Sequence, residues 1–168
     1  MTETRTRVRS HVEANPGIHF SAIGRDLDIA TGQTQYHLRR LLKTGSLHRL
    51  EVSGRTHYFP AGYSETEQAA IALLRRETAR EIVLLLLDGE TDRPAKLADS
   101  VGVARSTIEW HLGTLIDHGL AEKTREGRTV SVRLTEPELL HELLVAIDPS
   151  VPDRLVDRFT RLVDSLLE

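Results

Sequence analysis

The sequence predicts a mainly α-helical fold with small β-hairpins, an α+β arrangement that occurs twice in succession and is followed by a C-terminal helical segment. The main observation is an internal repeat, because residues 23–45 recur without gaps as residues 97–119. Five pairs are identical: Ala30/Ala104, His37/His111, Leu38/Leu112, Leu41/Leu115 and Gly45/Gly119. Each copy precedes two strand-like segments joined at a glycine turn. We therefore predict two domains, residues 1–62 and 63–135, and a tail of residues 136–168.

The helices of the first domain follow from apolar spacing and from stop signals. Residues 4–14 predict a helix that Asn15-Pro16-Gly17 ends. Residues 18–20 predict a short strand, and Ser21 is a suitable N-cap for the next helix. A further helix is expected to begin after Ala30, because apolar residues recur at helical spacing from there to the end of the repeat copy.

A hairpin is expected to close the first domain. Residues 47–52 and 56–59 predict two strands joined at Ser53-Gly54, a strong turn signal. The resulting order of helix, strand, helix, helix and hairpin is that of a winged helix, in which the hairpin is the wing.

The second domain is expected to follow the same order. Capping boxes at residues 64–67 and 78–81 predict the starts of a leading linker helix and of the helix after it. Pro94 favours the first turn of a short helix that precedes the second repeat copy. Residues 120–125 and 129–134 predict the second hairpin.

The tail departs from the repeat and carries eight acidic residues against three arginines. A capping box at residues 135–138 predicts one helix with a leucine-rich face. A final helix carries apolar residues at spacings of four, three and four: Leu155, Phe159, Leu162 and Leu166. This pattern is typical of a helix that packs on another helix. Two small domains offer little surface to cover these stripes, which favours dimerisation; docking onto the same chain is the alternative.

Charge is distributed unevenly along the chain. The net charge is only −3, yet residues 1–59 carry nine basic and five acidic residues, whereas residues 60–168 carry thirteen and twenty. The front of the chain therefore suits an anionic partner better than the rest does.

The composition restricts the class of protein. The chain has no cysteine, which excludes disulfides, thiolate metal sites and cysteine nucleophiles. Its start lacks the apolar core of a signal peptide, and its longest apolar run, residues 82–87, is too short to cross a bilayer. We expect a cytoplasmic protein with no membrane partner. No phosphate-binding glycine loop, nucleophile elbow or carboxylate pair is present, so an enzyme is not expected.

The second helix of the first repeat copy has the residues expected of a DNA recognition helix. Residues 31–44 include three basic residues and no acid. Glutamine can form paired hydrogen bonds with adenine and arginine with guanine, and threonine can contact phosphate or a thymine methyl group. The candidate DNA-binding residues of this helix are Thr31, Gln33, Thr34, Gln35, Tyr36, Arg39, Arg40 and Lys43.

The equivalent helix of the second copy is less suited to DNA. Two acids, Glu109 and Asp117, leave residues 104–118 with a net charge of −1, which weakens nonspecific attraction. An acid can still accept a hydrogen bond from cytosine, and Ser106 with Glu109 also fits a simple capping box. We assign a secondary DNA-binding role to six residues of this helix and its hairpin: Arg105, Thr107, Trp110, Lys123, Arg125 and Arg128.

Basic residues in a hairpin can contact the DNA backbone beside the groove. The first hairpin offers Arg49, Arg55 and His57 for this role. Both hairpin tips read Gly-Arg-Thr, which favours DNA contact over the alternative of a solvated charged hairpin.

The eight histidines raise the question of a metal site. His37 and His111 occupy equivalent repeat positions, which favours a structural role in the helix. His111 and His118 lie seven residues apart on one helical face, and the chain has no thiolate ligand to accompany them. We therefore expect no metal and no other cofactor.

Tyr36 and Trp110 also occupy equivalent positions of the repeat, and each either packs against the base of its hairpin or contacts bases.

Two sets of segments resemble known regulators. Residues 103–112, VARSTIEWHL, with residues 119–123 resemble the recognition helix and wing of ArsR-like and MarR-like winged-helix regulators. Residues 15–20, 32–42 and 54–60 resemble tandem winged helix-turn-helix transcriptional regulators of halophilic archaea. The resemblance covers nearly the whole chain and implies a cytoplasmic, dimeric transcription factor. The cysteine ligands of ArsR-type metal sensors are missing, so metal sensing is not implied.

The combined prediction is two tandem winged helix-turn-helix domains in a sequence-specific transcriptional regulator that binds double-stranded DNA as a homodimer. Pairing through the C-terminal helices predicts an inverted-repeat site. Winged helices also serve as protein-interaction modules, and the second domain with its acidic tail fits that alternative. A repressor that responds to a small molecule would differ only by a pocket. The acid-free basic helix beside basic hairpins favours DNA binding.

Overall fold

The computed structural model of the chain describes residues 2–147 and Leu167. It divides into two compact units, Met1–Arg75 and Arg76–Glu168. The predicted dimerisation residues fall outside the described part: Leu155, Phe159, Leu162 and Leu166.

Three helices form the body of the first unit: α1 (Glu3–Ala14), α2 (Phe20–Leu27) and α3 (Thr31–Lys43). The Thr2 hydroxyl accepts a hydrogen bond from the backbone N–H of Arg5 and so caps α1. Apolar residues from all three helices and from the sheet are buried in one core: Val8, Val12, Ile18, Ala22, Ile23, Leu38, Leu41, Leu47 and Tyr58. Burial of this continuous apolar surface is the main force that holds the helices together.

A three-stranded antiparallel sheet lies beside these helices. Its strands are β1 (Ile18–His19), β2 (Leu47–Val52) and β3 (Arg55–Pro60), in the order β1-β3-β2. β2 and β3 form the predicted hairpin, with Val52 opposite Arg55. Both turn residues, Ser53 and Gly54, have positive φ angles of 50° and 79°, as a tight hairpin turn requires.

The fourth helix, α4 (Glu65–Leu74), belongs to the first unit, although the sequence predicts that it leads the second domain. The capping box of Ser64 and Glu67 is present as predicted. The guanidinium of Arg75, directly after α4, donates two hydrogen bonds to the carbonyl oxygen of Pro16, at 3.0 and 2.8 Å. These hydrogen bonds tie the end of α4 to the α1–β1 turn within the compact unit Met1–Arg75.

The second unit contains four helices and one hairpin among its described residues. They are α5 (Glu77–Asp88), α6 (Pro94–Val101), α7 (Arg105–Asp117), β4 (Ala121–Glu126), β5 (Thr129–Leu134) and α8 (Pro137–Ile147). From α5 to β5, each element has the same length as its counterpart in the first unit and begins 74 residues later. β1 has no counterpart strand, but the Val132 N–H donates to the Asp92 carbonyl at 2.7 Å, at the positions equivalent to Tyr58 and Ile18.

Three expected helix caps differ from the structure. α2 begins at Phe20 rather than after Ser21, and α5 begins at Glu77, so Thr78 lies inside its helix. α7 begins at Arg105 after Ala104, without a side-chain cap, so Ser106 and Glu109 form no capping box. In the described ranges, no helix is long and apolar enough to span a membrane.

Candidate nucleic-acid interface

Apolar residues on one side of α3 fix the direction of its polar side. Leu38 and Leu41 are buried against Ile23 of α2. The chain reverses between α2 and α3 at Asp28, which adopts a left-handed conformation with φ 54°. The opposite side of α3 is therefore exposed, and it carries seven of the predicted residues: Thr31, Gln33, Gln35, Tyr36, Arg39, Arg40 and Lys43.

The prediction that Thr34 lies on this exposed surface is wrong. Its side chain is only 1% exposed, and its hydroxyl donates to the Ala30 carbonyl oxygen at 3.1 Å. A Cβ atom added to Gly24 of α2 would lie 3.2 Å from the same hydroxyl. Thr34 therefore lies at the α2–α3 contact and is not available to DNA.

The hairpin places two further cations beside α3. Arg49 of β2 and Arg55 of β3 are exposed. Together with Gln35 and Arg39 of α3, they line an open groove of about 600 Å³ between the helix and the hairpin, which also includes His19. The sequence predicts Arg39, Arg49 and Arg55 separately, and the fold brings them into one groove.

His57, the third predicted hairpin residue, is not part of the exposed surface. Its side chain is 2% exposed, and its Nδ1–H donates to the carbonyl oxygen of Gly17 at 2.6 Å. This hydrogen bond satisfies a buried backbone acceptor, so the role of His57 is structural. The prediction that His57 contacts DNA is wrong for this conformation.

The cations of α3 and the hairpin retain their charge for a partner. Among the described residues, ion pairs are found for Arg9, His11 and Arg25 in the first unit, and none is found for the five exposed cations of α3 and the hairpin, Arg39, Arg40, Lys43, Arg49 and Arg55. Burial lowers the pKa of His19, and the positive charges of Arg55 and Arg25 lower it further. An anion in the groove would therefore meet an unneutralised positive field.

Tyr36 is exposed between two guanidinium groups. Its side chain is 53% exposed, and the Cζ atoms of Arg5 and Arg40 each lie 5.9 Å from its ring centre. The ring of His37 meets it edge-on, at 5.2 Å between ring centres. Of the two interpretations offered by the sequence, the structure favours an outward Tyr36. Arg5 is absent from the predicted set.

The equivalent surface of the second unit is largely neutralised. Glu109 accepts hydrogen bonds from Lys123 at 2.5 Å and from Arg105 at 3.3 Å. The hydrogen bond from Lys123 is the main reason that the pKa of Glu109 is lowered, so the carboxylate is charged at neutral pH. Two of the predicted secondary DNA-binding residues are thus bound by an acid of the same surface.

The outer face of α7 also lacks the cations of α3. The positions equivalent to Arg39, Arg40 and Lys43 hold neutral or acidic residues: Gly113, Thr114 and Asp117. Trp110 is 49% exposed, with the Arg76 guanidinium carbon 5.5 Å from its ring centre. Of the remaining predicted residues, Thr107 is half-buried, whereas Arg125 and Arg128 are exposed near the hairpin tip.

The two histidines at equivalent positions of the repeat are buried. His37 and His111 are 7% and 9% exposed, and burial is the main cause that lowers the pKa of each imidazole. Arg5 and Arg76, respectively, contribute in the same direction. Within residues 2–147 and Leu167, no three histidine, aspartate or glutamate side chains come together where they could hold a metal ion.

Solved structures of several bacterial proteins are similar to this chain over part of its length. An ArsR-like transcriptional regulator from Rhodococcus sp. RHA1 is 25% identical, with 60% of this chain and 89% of that chain covered and a TM-score of 0.40. The homodimeric winged helix-turn-helix DNA-binding domain of a possible ArsR-family regulator from Mycobacterium bovis is 23% identical, with 58% and 94% covered and a TM-score of 0.41. A transcriptional regulator from Thermotoga maritima is 18% identical, with 60% and 80% covered and a TM-score of 0.40.

A match to a family model is found for one part of the chain, residues 2–71 of the first unit. No curated protein matches the chain. Residues 2–71, which contain α1 to β3 and most of α4, match the helix-turn-helix domain family described as HTH_HVO_0163_N, N-terminal HTH domain.

Proposed function

We propose that the protein is a transcriptional regulator that binds double-stranded DNA sequence-specifically through its first unit. The observation that carries this proposal is the exposed, acid-free side of α3 next to the arginine-lined groove of the hairpin. The match of residues 2–71 to a helix-turn-helix family supports it. In this proposal α3 enters the major groove, and Arg49 and Arg55 contact the flanking backbone.

The chemistry of α3 suits base recognition as well as charge attraction. Gln33 and Gln35 lie in the first turns of the helix, where recognition helices contact base edges. Each amide can form paired hydrogen bonds with adenine, and a guanidinium can do so with guanine. Arg39, Arg40 and Lys43, farther along the helix, also supply attraction that is independent of sequence.

The second unit is best interpreted as a second winged helix with a weaker role in DNA binding. Its elements recur at a constant offset of 74 residues, which supports duplication of one fold. Its recognition-helix equivalent, α7, presents Glu109 and Asp117 and has none of the three cations of α3. We infer that it positions the first unit on DNA or binds another partner.

The C-terminal segment provides the proposed homodimer contact. Residues 155–166 carry the apolar spacing of a packing helix, and a paired chain would place two α3 helices on an inverted repeat. We therefore propose that the protein is a cytoplasmic homodimer and that its DNA site consists of two half-sites.

A pair of charge-matched variants tests DNA binding by α3. The double variant Arg39→Gln and Arg40→Gln removes two positive charges, whereas Gly113→Glu with Thr114→Glu adds two negative charges at the equivalent positions of α7. Both change the net charge by −2, so long-range repulsion is similar. The probe is a mixed-sequence 30-bp duplex, and affinity is measured by fluorescence anisotropy at several salt concentrations.

The α3 variant should lose most of its affinity. Its salt dependence should also be shallower: the slope of log K against log salt should decrease in magnitude by about 0.9 for each phosphate that the variant no longer neutralises. The α7 variant should bind nearly as the unsubstituted chain does. Equal losses of affinity in the two variants would overturn the assignment to α3. Selection of duplexes from a random pool then tests sequence specificity, with enrichment of one inverted repeat as the expected result.

A further inference from the structure

We infer that the groove between α3 and the first hairpin binds one phosphate group of the DNA backbone, and that His19 is a ligand of this phosphate and takes up a proton when it binds. This inference rests on the proposed function and deepens it. It adds a titratable ligand to a site whose other cations are permanently charged.

The groove has the shape and the charge of a single-anion site. Its volume of about 600 Å³ is large enough for a phosphate group and its first waters, and it is open to solvent. Arg39 reaches it from α3, Arg49 from β2 and Arg55 from β3. Three consecutive elements thus supply one arginine each. Guanidinium groups match the geometry of phosphate oxygens and form charge-assisted hydrogen bonds with them.

His19 is held at the edge of this groove by local structure. It ends β1 and precedes α2, where it lies opposite His57 in the strand register. Its Nδ1 atom lies 2.8 Å from the hydroxyl oxygen of Ser21. This contact orients the imidazole, and the ring is half-buried among the groove residues.

Burial and the charged groups around His19 together lower its pKa and favour the neutral imidazole when no DNA is bound. Arg25 and Asp26 of α2 and Arg55 of β3 act on it, and Arg39 and Arg49 line the same groove. Burial is the largest cause that lowers its pKa, Arg55 and Arg25 act in the same direction, and Asp26 opposes them. Asp26 is itself paired with His11 and Arg25.

Two other polar side chains lie close to His19 in the strand register. His57 is buried with its Nδ1–H on the Gly17 carbonyl. Tyr58 also lines the groove, and burial raises the pKa of its hydroxyl, so it stays neutral and can donate to an anion. The charge of His19 therefore responds to an incoming phosphate, and Tyr58 adds a neutral donor.

A bound phosphate reverses the electrostatic effect on His19. The negative charge offsets Arg55 and Arg25, so the pKa of His19 rises on binding. A group whose pKa is higher in the bound state strengthens binding as the pH falls through the bound-state value, and the gain levels off below the free-state value. One proton allows a change in affinity of at most about tenfold per pH unit.

The test compares His19→Gln with His48→Gln in the full chain. His48 is exposed on β2 and does not line the groove, so its replacement controls for the general loss of an imidazole. Affinity for a mixed-sequence 30-bp duplex is measured by anisotropy between pH 5.5 and 8.5 at fixed salt. The NMR titration of the His19 ring in the unsubstituted chain, with and without this duplex, gives the two pKa values directly.

The unsubstituted chain and His48→Gln should bind several-fold more tightly at pH 6 than at pH 8, and His19→Gln should lose most of this gain. The His19 pKa should rise when the duplex is added. The inference is overturned if His19→Gln keeps the full pH dependence or if the His19 pKa does not rise, while DNA binding itself persists. Absence of binding by the unsubstituted chain at every pH would instead overturn the proposed function along with the inference.

Discussion

The Nζ atom of Lys123 donates a hydrogen bond of 2.5 Å to a carboxylate oxygen of Glu109. This contact is a difference between the two copies of the duplicated fold. The first unit has Arg49 and Gln35 at the same two positions, and there the arginine remains exposed in the groove. The same pair of positions thus presents a cation to solvent in one unit and a closed ion pair in the other.

In the unsubstituted chain the ion pairs of Glu109 keep Arg105 and Lys123 from DNA, so replacing Glu109 by glutamine should raise the affinity for DNA. The substitution removes one negative charge and frees Arg105 and Lys123, which Glu109 holds at 3.3 and 2.5 Å. If both then contact phosphates, the slope of log K against log salt becomes steeper by about 0.9 for each contact. Glu142→Gln on the exposed side of α8 makes the same change in charge and is the control. Equal slopes for the two variants would mean that α7 does not contact DNA even when Glu109 is removed.

The positions of the helices and strands could be predicted because their signals are local. Apolar spacing, turn glycines and the repeat fix α3, α7 and both hairpins to within a few residues. The assignment of α4 could not be predicted, because it depends on the contact of Arg75 with Pro16, 59 residues away. Propensity contains no information about such distant contacts.

The candidate site shows the same division between local and distant signals. Thr34 is predicted on the exposed side, yet its spacing to Leu38 and Leu41 places it on the buried side of the helix. The repeat contains a further signal, since the counterpart of Thr34 is the apolar Ile108. His19 and Arg5 reach the site only through packing of separate elements, so no sequence pattern indicates them.

Replacing His57 by alanine should destabilise the first unit without a direct effect on DNA contact. The buried carbonyl of Gly17 loses its donor, which costs about 1–3 kcal/mol, and a cavity adds to this loss. His48→Ala, on the paired strand but exposed, should change the free energy of unfolding by less than about 0.5 kcal/mol. Urea unfolding of both variants measures the difference. Similar unfolding midpoints would restore a surface role for His57.

Replacing Gly17 by alanine should destabilise the first unit more than the same change at Gly54. Both glycines have positive φ angles, 83° and 79°, so both substitutions strain the backbone. A Cβ at residue 17 would also lie 2.6 Å from Cγ2 of Ile71 in α4, whereas at residue 54 nothing lies within 4 Å. Overpacking of this kind costs about 1–3 kcal/mol beyond the backbone strain.

Unfolding of the two glycine variants by heat or urea, measured against the unsubstituted chain, gives the comparison. The double variant Gly17→Ala with Ile71→Ala should lose less stability than the sum of the losses of the two single variants, because Ile71→Ala removes the clash while the backbone strain persists. A purely additive double variant would mean that α4 does not pack on the α1–β1 turn.

Replacing Tyr36 by alanine should weaken DNA binding with little loss of stability. The ring is 53% exposed, so its removal leaves no large cavity, but it is the aromatic group on the proposed DNA-facing side of α3. Trp110→Ala is the matched control, since Trp110 occupies the equivalent position of α7 and is 49% exposed. Anisotropy with the mixed-sequence duplex should give a clear loss of affinity for Tyr36→Ala and little change for Trp110→Ala. The reverse order would transfer the recognition role to α7.

Disruption of the apolar spacing in the C-terminal segment should produce a monomer. The double variant Leu155→Asp and Phe159→Asp places two charges in the predicted seam, where burial of an unpaired charge is strongly unfavourable. Arg154→Gln with Arg158→Gln changes the net charge by the same −2 outside that seam and is the control. Sedimentation equilibrium should give the mass of one chain for the first variant and of two for the second. The monomeric variant should also bind an inverted repeat and an isolated half-site with similar affinity, because it can no longer engage both half-sites at once. A dimer that survives the Leu155 and Phe159 substitutions would assign self-association to another surface.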